Sequence, residues 1–268
     1  MPELPEVEVA ARSLRRWLRG KTIVRATIFE TRITRGCSPK ELARALEGHA
    51  VKRVDRRGKW LRLSMDDGAL VFSHLGMSGK WVKRGLDAAS ERSERARLDL
   101  ERISVRYVDP RMFGRLILAR EDLAEWRALG MDPLVDGLDV GELERRLGRV
   151  RRTIKEALLD QTIVAGVGNI YATEALFLAR IDPRSRTDAL SRADVRALAR
   201  GIDRAIATSL AHDPGPEITY VEEAGAPNPF KIYGHGGEPC PRCKNRLVRM
   251  VLGGRGTVYC ARCQQKRG

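Results

Sequence analysis

The sequence predicts an α+β protein of several domains, with a β-rich sandwich first, a helical domain next and a β-hairpin at the C-terminal end. Three observations support this order. Apolar residues alternate with polar ones between residues 22 and 118, they recur at helical spacing between residues 140 and 211, and four of the five cysteines lie in the last 29 residues. We therefore expect domains over residues 1–132, 133–215 and 216–268, with the cysteine-bearing hairpin in residues 235–268.

The chain begins with a predicted amphipathic helix. Pro5 suits the first helical position, Glu6 and Glu8 suit the first turn, and Gly20 ends the pattern. Four apolar residues at helical spacing form the predicted buried face: Val7, Ala11, Leu14 and Leu18.

The β-rich part contains five runs that predict strands: residues 22–29, 60–65, 69–75, 103–108 and 115–118. Asp66-Asp67-Gly68 predicts a hairpin turn, and residues 39–46 predict one short helix. The polar stretch 83–97 has almost no apolar anchor, so we expect a mobile loop there.

After Asp132-Pro133 the alternation ends, and helical patterns take over. Four stretches predict helices: residues 140–147, 153–160, 170–179 and 193–211. A segment rich in proline and glycine, residues 212–237, then leads to the cysteine-bearing tail.

The tail has the cysteine spacing of a zinc ribbon. Cys240 and Cys243 form one CxxC pair, Cys260 and Cys263 form a second, and 16 residues separate the pairs. Each pair supplies two thiolates, and a hairpin between the pairs closes a tetrahedral site. Because four protein ligands leave no open position, we expect one structural zinc ion without a catalytic role. Cys37 is predicted to be a partly buried thiol outside this site.

The charge of the chain points to a polyanionic partner. The formal net charge is +15 and the pI is about 10.1, which favours nucleic acid. A membrane partner is not expected, since no apolar run approaches the roughly 20 residues of a span. Without a signal peptide before the polar N-terminal segment, and with cysteines suited to a reducing compartment, we expect a cytoplasmic protein.

The first residues also carry a candidate nucleophile. Removal of Met1 would leave Pro2 with the terminal amine, and an α-amino group titrates near ~8 whereas a lysine titrates near ~10.4. Such a secondary amine can attack an aldehyde-like carbon to form an iminium ion, which acidifies the neighbouring C–H bond as a lyase requires. Glu3 places a carboxylate beside it. The alternative is an ordinary capped helix start with an inert proline.

A second candidate site lies at residues 165–171, between two predicted helices. Its glycines allow the backbone to approach a phosphate, and the following helix presents its N-terminal N–H groups. The Asn169 amide adds a side-chain donor.

Several of these motifs resemble the formamidopyrimidine-DNA glycosylase family. Residues 1–8, MPELPEVE, look like the opening of that family, and residues 161–171 resemble its helix-two-turn-helix element. Leu4 and Val7 favour the branch that acts on oxidised purines over its relative, endonuclease VIII. The resemblance covers essentially the whole chain, since Tyr233-Gly234 and the cysteine pairs also follow the family pattern.

The resemblance implies a bifunctional DNA glycosylase and abasic-site lyase. Its substrates would be 8-oxoguanine and formamidopyrimidines in duplex DNA, and the protein would be a monomer of the bacterial cytoplasm working at the nucleoid. In this interpretation Pro2 attacks the sugar C1′, Glu3 is the acid/base at the ribose, Lys59 donates a proton for β-elimination and Arg255 does so for δ-elimination.

The resemblance also implies residues that bind DNA. Met77 and Phe113 would be apolar wedges that fill the vacancy left by an extruded base, and Arg111 would pair with the orphaned base. Asn169 would contact phosphate and Lys155 would face the DNA or the lesion. Three further residues are predicted contacts: Arg95, Arg152 and Tyr171.

Two departures affect the predicted specificity. Arg95-Ala96-Arg97 stands where the family often has His-Asp-His, and residues 218–231 do not resemble the usual segment that caps the lesion. We therefore hypothesise that lesion recognition relies more on the wedges and Arg111. An oxidised-pyrimidine glycosylase of the endonuclease VIII type and a non-catalytic zinc-ribbon DNA-binding protein remain the alternatives.

Overall fold

The computed structural model describes residues 2–212, 215, 217–221, 223, 225 and 228–268. The chain forms two compact units, and each draws on two separate segments. One unit comprises Met1–Arg127 with Pro214–Ala224, and the other comprises Ala128–Asp213 with Gly225–Gly268. None of the helices in the described ranges is long and apolar enough to cross a bilayer.

The first unit contains three helices and nine strands within its described residues. The helices are α1 (Leu4–Leu18), α2 (Pro39–Leu46) and α3 (Ala124–Arg127). The strands are β1 (Arg25–Ile28), β2 (Thr34–Arg35), β3 (Val51–Arg57), β4 (Trp60–Met65), β5 (Leu70–His74), β6 (Lys80–Arg84), β7 (Glu94–Asp99), β8 (Ser104–Val108) and β9 (Arg115–Ala119). A 3₁₀ turn, Thr31–Ile33, precedes β2. The predicted helix at residues 39–46 and the hairpin at 66–68 are both present.

These strands form two sheets. A four-stranded sheet has the order β1-β7-β8-β6, and a five-stranded sheet has the order β2-β9-β5-β4-β3. All neighbours are antiparallel except β2 and β9. The Trp81 indole of β6 donates a buried hydrogen bond to the Ser73 hydroxyl of β5, which joins the two sheets. Helix α1 packs against β3, so the start of the chain is fixed to the edge of the larger sheet.

The expectation of a mobile loop over residues 83–97 was wrong in part. Strand β6 extends to Arg84, and β7 begins at Glu94. The segment between them is held by the buried Arg106 of β8, whose guanidinium donates to the carbonyls of Ala88 and Ala89 at 2.7 Å each. A charged residue from a later strand therefore holds this segment, and the pattern of apolar residues in the sequence does not reveal such a contact.

The second unit is helical and ends in a hairpin. Its helices are α4 (Val140–Gly148), α5 (Ile154–Leu159), α6 (Asn169–Ala179) and α7 (Arg192–His212), with a 3₁₀ turn at Thr187–Ala189. Its strands are β10 (Val248–Leu252) and β11 (Arg255–Tyr259). All four predicted helices are present, and α6 and α7 pack together. The predicted fold class, with a β-rich N-terminal domain, a helical domain and a C-terminal hairpin, is confirmed.

The hairpin is built into the helical unit and does not form an isolated tail. Phe177 of α6 lies in one apolar cluster with Leu247 and Val258 of the hairpin region. The buried Glu174 carboxylate accepts the backbone N–H groups of three successive residues at 2.9 Å each: Lys231, Ile232 and Tyr233. Helix α6 therefore fixes the chain that leads into the hairpin.

Candidate functional site

The candidate nucleophile and its carboxylate lie at the start of α1. Pro2 and Glu3 are buried, and Glu3 is the N-cap residue of the helix. The Glu3 N–H donates to the Glu6 carboxylate at 2.8 Å, and the Glu3 carboxylate accepts the Glu6 N–H, so the two residues form a capping box. Met1, whose removal would expose the Pro2 nitrogen, lies outside the described residues. The capping box holds the Glu3 carboxylate beside Pro2.

Lys59 lies in the turn between β3 and β4, close to a histidine. Trp60, the next residue, is paired in register with His74 of β5, and their rings are 4.9 Å apart. Burial, together with the positive charges of Lys59 and Arg115, lowers the pKa of His74 to about 4. His74 is therefore neutral at neutral pH, and its Nδ1 accepts the Gly76 N–H at 3.1 Å. The ring therefore satisfies the Gly76 N–H, which gives His74 a structural role in this turn.

The predicted wedge residues lie on two turns that touch each other. Met77 is 36% exposed and Phe113 is 52% exposed, and the Arg111 guanidinium lies over the Phe113 ring at 5.0 Å. A Cβ atom at Gly76 would lie 2.4 Å from the Phe113 carbonyl carbon, so only glycine allows this approach. Met112, which lies between Arg111 and Phe113 in the chain, adopts a left-handed conformation with φ 55°. Met77, Arg111 and Phe113, which were predicted to bind DNA, thus form one exposed group, called the wedge group below.

A buried carboxylate that the sequence analysis did not single out holds both turns. Asp109 accepts the Ser78 hydroxyl at 2.7 Å, the Gly114 N–H at 2.8 Å and the Arg111 N–H at 3.2 Å. The Arg95 guanidinium donates to the Asp109 carbonyl at 2.9 Å. Arg95 is therefore placed at the base of the wedge group, half-buried and held by the backbone.

In the second unit, Asn169 is the first residue of α6 and reaches the hairpin. Its side-chain amide donates to the Gly256 carbonyl at 3.0 Å, and its Oδ1 is buried without a protein donor among the described residues. Before it, the Gly166 N–H donates to the Gln161 amide oxygen at 2.9 Å, which shapes the glycine-containing turn. The helix N-terminus and the hairpin are therefore joined by the residue predicted to bind phosphate.

Two predicted contact residues of this unit point inward. Lys155 is fully buried, and its ammonium donates to the Asn169 carbonyl at 2.9 Å and to the Thr173 hydroxyl. Tyr171 is also fully buried, and its hydroxyl donates to Ser209 at 2.6 Å. The charge of Lys155 holds the first turn of α6, and the expectation that this residue faces the DNA or the lesion stays a prediction.

The other two predicted residues of this unit lie at its surface. Arg152 is partly exposed and forms an ion pair with Asp160. Arg255 is exposed at the first position of β11, paired in register with Leu252 of β10. The structure thus presents Arg255 on the same hairpin as the Gly256 carbonyl that binds Asn169.

Residues 218–231, which depart from the resemblance, divide between the two units. Tyr220 is buried in the first unit, where its hydroxyl donates to the Gly79 carbonyl at 2.5 Å. Lys231 belongs to the second unit, through Glu174. Residues 222, 224, 226 and 227 of this segment lie outside the described residues, so the hypothesis about lesion recognition stays a prediction.

The four cysteines of the tail converge on one point. The Sγ atoms lie within 4.8 Å of one another, with Cys240 and Cys263 4.0 Å apart and Cys243 and Cys260 3.4 Å apart. Tetrahedral zinc with Zn–S bonds of about 2.3 Å needs sulfur atoms about 3.8 Å apart, which these distances fit.

Comparisons with known proteins find matches along nearly the whole chain. Three sequence profiles match in order: the formamidopyrimidine-DNA glycosylase N-terminal domain over residues 1–116, the formamidopyrimidine-DNA glycosylase H2TH domain over 129–218, and the zinc finger found in FPG and IleRS over 237–266. The chain is 36% identical to the formamidopyrimidine-DNA glycosylase of Desulfitobacterium hafniense, covering 98% of this chain and 100% of the relative. It is 39% identical to that of Pseudomonas putida, covering 99% and 100%.

This chain belongs to the formamidopyrimidine-DNA glycosylase family. Solved structures agree. A complex of Lactococcus lactis Fpg with DNA that contains an abasic site matches with a TM-score of 0.88 and 29% identity, over 98% of this chain and 100% of that one. MutM in complex with DNA that contains carbocyclic 8-oxo-G matches with a TM-score of 0.89 and 30% identity, over 99% and 100%.

The comparisons confirm several of the predictions made from the sequence. The family, the helix-two-turn-helix domain and the enzyme class of DNA glycosylase with lyase activity are confirmed. The zinc-finger match and the four converging cysteines confirm one structural zinc site.

Proposed function

We propose that this protein excises oxidised purines, 8-oxoguanine and formamidopyrimidines, from duplex DNA and cleaves the resulting abasic site. The placement of Pro2 and Glu3 at the capped start of α1 carries the proposal, because it holds a carboxylate beside a candidate amine nucleophile. The relatives support the substrate class. Solved complexes of Lactococcus lactis Fpg contain an abasic site or Fapy-dG, and a complex of MutM contains carbocyclic 8-oxo-G.

The proposed reaction uses the Pro2 nitrogen as the nucleophile. The nitrogen forms a bond to the sugar C1′ while the bond from C1′ to the base breaks, and the base leaves with the electron pair and takes up the proton that the Pro2 nitrogen releases. Glu3 protonates the ring oxygen, so the ring opens and the C1′–nitrogen bond becomes an iminium. Water then removes the acidified C2′ proton, and the 3′ phosphate leaves with the electron pair of the C3′–O bond while Lys59 donates a proton to it. Arg255 serves as the proton donor in the second elimination, which expels the 5′ phosphate.

The wedge group and the second unit would hold the DNA. Met77 and Phe113 fill the space of the extruded base, Arg111 pairs with the orphaned base, and Asn169 and Arg95 contact the backbone. The helix-two-turn-helix element would add three further contacts to the DNA: Arg152, Lys155 and Tyr171. The net charge of +15 supports binding to the phosphate backbone. We propose that the protein acts as a monomer in the bacterial cytoplasm, at the nucleoid, with functional segments at residues 1–132, 133–215 and 216–268.

Borohydride trapping tests this proposal. With a duplex that contains 8-oxoguanine, borohydride should reduce the iminium and leave the protein joined to DNA through Pro2. An N-terminal extension that blocks the Pro2 nitrogen should abolish the crosslink while zinc content persists. Glu3→Gln should bind DNA and fail to excise the base, because it keeps the shape and loses the titratable group. A crosslink that maps to Lys59, or preferential excision of thymine glycol, would contradict the proposal.

A further inference from the structure

A carboxylate on α1 binds three arginines at once. Glu8 accepts from Arg12 at 3.1 Å, from Arg15 at 3.2 Å and from Arg56 at 2.8 Å. Arg12 is largely exposed, whereas the Arg56 side chain is 1% exposed and that of Glu8 is 12% exposed. A buried guanidinium needs a charged partner, so the Glu8–Arg56 pair is the part of this network that the fold cannot lose cheaply.

The other end of Arg56 reaches the turn between β3 and β4. Its second nitrogen donates to the Gly58 carbonyl at 3.2 Å, and Gly58 immediately precedes Lys59. Arg15 adds a parallel link, because it donates to the Val54 carbonyl of β3 at 2.9 Å. The planar fork of Arg56 therefore bridges helix α1, which Glu3 caps, and the turn that carries Lys59.

We propose that Arg56, held by Glu8, is a positioning residue that fixes Lys59 relative to Pro2 and Glu3. Glu8 lies five residues after Glu3 on one rigid helix, which is about 7.5 Å along its axis. Pro2 and Glu3 thus lie at the start of α1 and Lys59 lies in the β3–β4 turn, and the buried Glu8–Arg56 pair links these two elements. A misplacement of about 1 Å at a reacting group can cost about 100-fold in rate. This inference rests on the proposed function.

Arginine is the side chain this link requires. Its fork can donate to the Glu8 carboxylate and the Gly58 carbonyl together, whereas a lysine is a point charge that keeps the ion pair without the planar bridge. Arg56→Lys thus keeps the ion pair that stabilises the fold and removes the bridge that positions Lys59. Arg12→Ala is the matched control, because it removes another partner of Glu8 that does not touch the turn.

The experiment measures single-turnover strand cleavage at a preformed abasic site, affinity for DNA with an uncleavable abasic-site analogue, and melting temperature. We expect Arg56→Lys to keep affinity and most of the melting temperature while strand cleavage slows by about 10- to 100-fold. Glu8→Gln should slow strand cleavage in the same direction, and Arg12→Ala should match the wild type. Wild-type rates of strand cleavage for Arg56→Lys would overturn the proposal.

A second comparison shows whether Arg56 acts through Lys59. In a Lys59→Ala background, Arg56→Lys should cause no further loss of rate, because the group that it positions is already gone. Independent, additive losses would instead mean that Arg56 acts on general stability, and would overturn the proposal. Borohydride trapping of the wild-type protein at Pro2 tests the proposed function separately, so the two ideas can fail independently.

Discussion

Replacement of Asp109 by asparagine should loosen the wedge group from below. The carboxylate accepts three donors, from Ser78, Arg111 and Gly114, at 2.7 to 3.2 Å. An asparagine keeps one oxygen as an acceptor, but it replaces the other oxygen with an NH₂ group that faces a donor. At least one N–H or O–H donor therefore loses its acceptor, and the remaining hydrogen bonds lose the negative charge of the carboxylate. A hydrogen bond to a charged group is worth about 1.5–3 kcal/mol, and an unpaired buried donor costs about 1–3 kcal/mol. We expect a net loss of about 2–4 kcal/mol in the free energy of unfolding.

This loss should be visible in both stability and activity. A loss of about 3 kcal/mol should lower the melting temperature of the first unit by roughly 10 °C. Excision of 8-oxoguanine from an intact pair should fall by about tenfold or more, because Met77 and Phe113 are needed when a base must be extruded. Cleavage of a preformed abasic site should be affected much less.

Ser78→Ala is the matched control for this prediction. It removes the hydroxyl, which donates to Asp109 and also accepts the Arg111 N–H at 3.3 Å, but it leaves both backbone N–H groups bound to Asp109, so the expected loss is about 1 kcal/mol. If Asp109→Asn melts at the wild-type temperature and excises at the wild-type rate, the carboxylate does not organise the two turns. Equal losses of excision and abasic-site cleavage would show that Asp109 acts elsewhere than on base opening.

Two further predictions concern the zinc site and the pH dependence of stability. Cys243→Ser, or a chelator, should remove zinc and weaken DNA binding by more than tenfold, about 1.4 kcal/mol. The first unit should keep its unfolding transition. Unchanged affinity for DNA in the zinc-free protein would contradict this prediction. Because burial, Lys59 and Arg115 lower the pKa of His74 to about 4 from 6.5, the folded state binds fewer protons than the unfolded state between these values. Stability should therefore fall as pH falls from about 6.5 to 4, by up to about 3 kcal/mol from this residue. Urea unfolding at several pH values should show a flatter profile for His74→Gln, and an unchanged profile would mean that His74 does not titrate in this range.

The parts of the fold that the sequence predicted are those whose signals are local. Helix α2 follows from residues 39–46, with a proline at its start, and the β4–β5 hairpin follows from two alternating runs around an Asp-Asp-Gly turn. The zinc site follows from two CxxC pairs, because each pair places two thiolates through local geometry. Strand β7 was missed because its partners are the distant strands β1 and β8, and because its buried Glu94 pairs with the charged Arg106 of β8.

The candidate site divides in the same way. Pro2, Glu3 and the cysteines were predicted from short motifs in the sequence, whereas Met77, Arg111 and Phe113 were predicted from the resemblance to the family. The burial of Lys155 was not found, since its partners lie 14 and 18 residues away on another helix.

The sequence by itself determined the order of the β-rich, helical and hairpin parts and the zinc ligands, because these depend on composition, periodicity and short spacings. The residues assigned to the chemistry were predicted from the resemblance to the family. Only the tertiary structure decided what holds those residues in place. Asp109 meets Ser78 across 31 residues, and Arg56 meets Glu8 across 48. Such pairs form because folding buries charged groups that must then find partners, and a linear pattern does not record which distant residue supplies them.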